Sequence, residues 1–84
     1  MEKKLFSLEN CIKCNQTKQL ISENDNIEII TYPHDLDKWS EEQLNQAKKF
    51  NVFKDLQKTA PILWVDGVKL VGYLRIRKWL QDNK

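Results

Sequence analysis

The chain is short of several things, and each shortage removes a class of protein. Two of its 84 residues are cysteine, too few for the disulfide framework that staples small secreted domains. One residue is histidine, so a structural zinc site, which takes four Cys or His ligands, does not close within one chain. No apolar run approaches the ~18 residues of a membrane span. Met1-Glu2-Lys3-Lys4 leads into only a few apolar residues, unlike a secretory signal. Lysine and arginine number 14 against 12 acidic residues, a formal net charge of +2. The two signs are interspersed, without the basic stripe of a nucleic-acid binder, and Arg75-Ile76-Arg77-Lys78 reads as the solvated face of a helix. Internal repeats, linkers and low-complexity segments are missing as well. At 40% hydrophobic, with three Trp, three Phe and two Tyr, the chain holds enough apolar material for one core of modest stability. The expectation is one small cytoplasmic domain over 1–84, a monomer with no membrane or nucleic-acid partner and no bound metal.

What is present centres on Asn10-Cys11-Ile12-Lys13-Cys14. Both cysteines lie here, directly after a short apolar run and at the start of a helical pattern. Helical backbone puts residues i and i+3 on one face, near enough for a disulfide with little rearrangement. The spacing reads as a dithiol that cycles with a disulfide. Cys11 falls where the free N–H groups of a helix N-terminus stabilise a thiolate.

The remaining pattern is read in order. Leu5-Phe6-Ser7-Leu8 suits a strand covered on both faces. A helix follows over 11–23, with Cys14, Thr17 and Ile21 on one stripe and Leu20 beside it, so Cys14 faces the core and Cys11 the exposed first turn. Asn24-Asp25-Asn26 turns the chain. Residues 27–32 are β-branched and aromatic, a second strand that a strand–helix–strand unit makes parallel to the first; Pro33 stops it. After a polar connection over 34–38, Ser40 and Gln43 fit a capping box, and Trp39 and Leu44 the hydrophobic staple across it. Asn51 ends or kinks this helix before Val52, Phe53 and Leu56. Ile62-Leu63-Trp64-Val65 is a third strand, Asp66-Gly67 a hairpin turn, and Val68-Lys69-Leu70-Val71 an edge strand that Lys69 protects. Gly72 breaks it, and a last helix over 74–81 puts Ile76, Trp79 and Leu80 at core spacing, with Trp64 also assigned to the core. The fold class is α/β: one four-stranded mixed sheet, its first strand central, flanked by three helices.

These segments together resemble a glutaredoxin-type member of the thioredoxin superfamily over nearly the whole chain. The resemblance rests on Cys11-Ile12-Lys13-Cys14 after the first strand, Thr59-Ala60-Pro61 before the third, and Asp66-Gly67 followed by Gly72-Tyr73. It implies a thioredoxin-like fold with Cys11 and Cys14 as the catalytic pair. It also implies a cis peptide bond before Pro61, which would lie against the cysteines, and an Ala60 backbone that pairs with substrate as an added strand. Lys13, Thr59, Ala60, Pro61, Gly72 and Tyr73 become the substrate-binding set. The sequence departs from the usual glutaredoxin in four places. Leu8 stands where a basic residue is usual, Ile12-Lys13 replaces Pro-Tyr, and Val71-Gly72 replaces Gly-Gly. Leu74-Arg75 occupies the region of the acid that holds the glutathione amino group. Gly72-Tyr73-Leu74-Arg75 is similar instead to the Gly-Phe-Arg region of the glutaredoxin-like hydrogen donors of ribonucleotide reductase, which accept electrons from thioredoxin reductase.

The expected activity is thiol–disulfide exchange. Cys11 attacks a protein disulfide as thiolate, and Cys14 resolves the mixed disulfide, leaving a redox-active Cys11–Cys14 disulfide and no bound cofactor. Lys13 is the nearest candidate cation in sequence; Tyr32 and Tyr73 either line the site or pack. Protein disulfides, ribonucleotide reductase among them, are the expected partners, with thioredoxin reductase or glutathione as reductant and glutathione itself poorly recognised. The alternatives are an ordinary glutathione-dependent glutaredoxin, a binding module without turnover, and a metal site. The last would use Cys11, Cys14 and His34 completed by a dimer or by carboxylates, although His34 is more simply an exposed loop residue.

Overall fold

Strand β1 (Lys3–Leu8) lies inside the sheet. In the computed structural model, which describes residues 2–83, it pairs parallel with β2 (Glu28–Tyr32) on one side and antiparallel with β3 (Ile62–Val65) on the other. β4 (Val68–Val71) adds to β3 through the Asp66-Gly67 turn, so the strand order is β2-β1-β3-β4. Asp66 and Gly67 both have positive φ, 47° and 91°, the backbone that a two-residue hairpin needs to match strand twist.

The alternation of β1 feeds two cores. Leu5 meets Leu63, Ile76 and Leu80 on one face, while Phe6 meets Tyr32, Trp39, Ala47, Val52, Leu56 and Ile62 on the other. Helices α1 (Ile12–Leu20) and α4 (Tyr73–Asp82) cover the Leu5 face; α2 (Glu41–Lys49) and α3 (Phe53–Lys58) cover the Phe6 face. Three layers with this mixed sheet make a thioredoxin-like α/β fold. Leu5, Phe6, Ile62 and Leu63 are fully buried, each such side chain contributing about 2 kcal/mol of transfer free energy. The Phe6 face carries a continuous aromatic row: Trp39 stacks on Tyr32 at 4.5 Å, Phe6 touches Tyr32 and Phe50, and Phe50 meets Trp64 edge-on at 5.0 Å. Of the three Trp residues it is Trp39 that is buried, its indole N–H donating to the Pro33 carbonyl at 2.7 Å; Trp64 and Trp79 are half-buried.

One helix ends earlier than the sequence pattern predicts, and one helical segment divides where the pattern places an end or a kink. α1 stops at Leu20 rather than near Glu23, because the Ser22 N–H and hydroxyl both bond the Asp25 carboxylate, which closes a separate 3-10 turn over Glu23–Asp25. The middle helical segment is two helices. Asn51 at φ 61° breaks the path between α2 and α3, a left-handed turn that asparagine tolerates better than most residues. The Ser40–Gln43 capping box forms as the spacing predicts, at 2.8 and 3.1 Å, and Trp39 and Leu44 pack in the same core. Lys69 is more than an edge guard. Its ammonium reaches from β4 to the Asn51 carbonyl at 2.9 Å and the Asp55 carboxylate at 2.7 Å, tying the helix break to the sheet.

Candidate functional site

The β1–α1 junction builds the dithiol. Asn10 turns the chain with φ 55°, and Cys11 then takes an extended N-cap conformation, φ −114° and ψ 115°. Its Sγ accepts the Cys14 N–H at 3.2 Å, the part a Ser or Asp oxygen plays at other helix starts. Cys11 is half-exposed, whereas Cys14 is 0% exposed. The spacing of Cys14 and Thr17 places both on the buried stripe. The Cys14 Sγ accepts the Leu8 N–H at 3.4 Å. Both sulfurs are free thiols.

Burial pushes the Cys14 thiol up to about 12, and the hydrogen bond with Cys11 adds to the rise; the Leu8 N–H and the charge of Lys18 act in the opposite direction. Tyr32, whose hydroxyl donates to Gln46 Oε1 at 2.7 Å, is likewise raised by burial to about 12. Tyr32 therefore belongs to the core and not to the site. Both groups keep their protons in the fold at a pH where the unfolded chain has lost them. Their stability contribution is complete below the ordinary thiol value of 9.0 and is lost as pH rises toward about 12. The urea midpoint of the reduced protein is expected to fall steadily from about pH 9 to 11, and the fall is expected to be shallower once Cys11 and Cys14 are joined, since the Cys14 contribution is then removed and that of Tyr32 remains. A midpoint unchanged over that range contradicts the assignment.

Beside the dithiol lies a groove of about 460 Å³, walled by Lys13, Thr59, Ala60, Val71, Gly72, Tyr73, Leu74 and Arg75. Five of the six residues assigned by resemblance to substrate binding meet here. The sixth, Pro61, is buried behind it. The Ala60–Pro61 peptide bond is cis, and the Pro61 carbonyl accepts the Gly72 N–H at 3.0 Å, which joins the two walls. Gly72 sits at φ 97°, a conformation side chains resist, although the nearest atom to an added Cβ, Thr59 Cγ2, is 3.7 Å away; backbone angle and not space demands glycine. The Lys13 Nζ rests over the Tyr73 ring, 5.2 Å from its centre.

Val71, Leu74 and Arg75 were not among the assigned site residues. Arg75 carried a signal. It occupies the first turn of α4, which has no acidic residue and no side-chain cap, and a cation there opposes the helix dipole. His34 is exposed in the β2–α2 connection and pairs with Asp35 at 3.3 Å. Among the described residues no three His, Cys, Asp or Glu side chains come together. No helix over the described residues is long and apolar enough to cross a membrane. In comparisons with known proteins the chain matches no family model, no curated protein and no solved structure.

Proposed function

We propose that the protein is a small dithiol oxidoreductase that reduces protein disulfides, of the glutaredoxin type that its motifs resemble. The observation that carries this reading is the asymmetry of the two thiols at one helix start: Cys11 is half-exposed and Cys14 buried, 3.2 Å apart from sulfur to N–H. Cys11 attacks one sulfur of the substrate disulfide, and the other sulfur leaves as a thiol after taking a proton. Cys14 then loses its proton, attacks the Cys11 sulfur and expels the second substrate thiol. Two electrons pass to the substrate and the protein is left as the Cys11–Cys14 disulfide.

The surroundings of Cys14 make the second step follow from the first. Burial holds Cys14 protonated, and two further contributions to that rise, the hydrogen bond and the charge of Cys11, come from the attacking sulfur. The charge is lost when Cys11 enters a mixed disulfide and the hydrogen bond to a neutral disulfide sulfur is weaker, while the Leu8 N–H and Lys18 continue to favour the Cys14 thiolate. The resolving thiol thus becomes easier to ionise when it is needed. Thioredoxin reductase or glutathione would return the dithiol. A glutathione-dependent glutaredoxin is the second reading, favoured by the cations on the groove wall, Lys13 and Arg75, which suit the carboxylates of glutathione. Mixing the reduced protein with an oxidised protein substrate tests the proposal. Peptide mapping is expected to find Cys11 joined to Cys14 and one substrate disulfide opened for each; loss of neither thiol would sink it.

A further inference from the structure

The groove beside the dithiol is one-sided in charge. Lys13 stands on its α1 wall and Arg75 on its α4 wall, and no acidic side chain lines it. Among the described residues neither cation is in an ion pair; Lys13 rests over Tyr73. Arg75 stands in a helix first turn against the dipole, so its charge adds to the positive helix end instead of cancelling it. Glu9 precedes the dithiol but is not part of the walls. The shoulders are apolar: Ile12, between the cysteines, is 75% exposed, and Leu74, on the opposite wall, is 73% exposed. Bare aliphatic side chains flanking a nucleophile suit a polypeptide better than a small polar thiol.

From this we infer that the groove selects an acidic, extended segment of a protein substrate. Carboxylates on either side of the target cystine would meet Lys13 and Arg75, and an apolar residue would rest on Ile12 or Leu74. The inference rests on the disulfide-exchange reading above and names the substrate class of that same site. Exposed cations of this kind mainly raise the encounter rate with an opposite charge and repel a like one, an effect that salt removes.

Two peptides test it, alike in sequence and in their internal disulfide except that one has glutamates and the other lysines around the cystine. In single turnovers of the reduced full chain, the acidic peptide is expected to react about tenfold faster at low salt, two exposed charge contacts being worth that order. The gap should close at about 0.5 M salt. Arg75→Glu is expected to shrink the preference, and Lys13→Glu with Arg75→Glu to reverse it. The ratio is taken on one variant at a time, so a change in Cys11 reactivity cancels. Anisotropy of labelled versions with serine for cysteine reads the groove without the chemistry. Acidic preference in binding with no reduction of either peptide overturns the oxidoreductase and leaves the groove. Equal rates and equal binding, or a preference unchanged in Arg75→Glu, overturn the groove.

Discussion

Cys11→Ser is expected to abolish disulfide reduction, whereas Cys14→Ser is expected to carry out the first half of the reaction and stop. The difference follows from where α1 begins. The N-cap position leaves Cys11 half-exposed, so a substrate sulfur can approach it in line. Cys14 is one turn on, beneath the Leu8 N–H and wholly buried, with its thiol pushed up to about 12. At neutral pH it keeps its proton and lies out of reach, and a thiol rather than a thiolate is a poor nucleophile. Serine at position 11 therefore leaves no competent attacker. Serine at position 14 leaves the attacker intact but removes the group that releases the substrate, so a mixed disulfide accumulates. Non-reducing mass spectrometry after exposure to an oxidised protein reads both outcomes. Alkylation of the reduced wild-type chain near pH 7 is expected to mark Cys11 first; faster marking of Cys14 would reverse the roles.

Glutathione is expected to be a poor partner by roughly ten- to a hundredfold relative to a protein disulfide, the cost of about 1.5–3 kcal/mol for one lost charge-assisted hydrogen bond. Glutathione presents two carboxylates and one ammonium. The groove offers Lys13 and Arg75 to carboxylates but no acid to the ammonium, and Arg75 opposes it. Leu8 supplies no cation; what it gives the site is its backbone N–H, donated to Cys14. A protein segment has less need of these charges, because backbone pairing at Ala60 would hold it as an added strand. The check is two assays on one preparation: insulin reduction driven by dithiothreitol or thioredoxin reductase, and hydroxyethyl disulfide reduction driven by glutathione. Strong glutathione turnover with none from thioredoxin reductase would restore the ordinary glutaredoxin reading. Leu74→Asp then offers a gain test, since an acid at the α4 start should improve the glutathione assay if the missing ammonium contact is the cause.

Local chemistry alone was enough for most of the fold. Strand and helix periods are printed in the order of side chains, which is why Leu5 and Phe6 could be placed in a central strand and Cys14 with Thr17 on a buried stripe. Capping is equally local: Ser40 and Gln43 find each other within one turn. Helix ends were less legible where two local signals compete. Asn24-Asp25-Asn26 reads as a stop, but the Ser22–Asp25 bonds end α1 earlier, and Asn51 reads as an end or a kink until Lys69, 18 residues on, ties its carbonyl to β4.

The amino-acid order by itself determined the dithiol, its place at a helix start, the mixed sheet and the division into exposed and buried cysteine. The helix start and the division of the cysteines depend on residues a few positions apart, whose geometry the backbone period sets; the sheet follows from the order of strands and helices along the chain. The tertiary structure decided what surrounds the dithiol. Lys13 and Arg75 are 62 positions apart, and only the packing of α1 and α4 on the same face of the sheet puts them on one groove. The same packing set Lys13 over the Tyr73 ring, while Tyr32 went to the opposite core with Phe6 and Trp39. Side-chain charge is visible in a sequence, but the surface it faces belongs to another element, and only long-range packing supplies it.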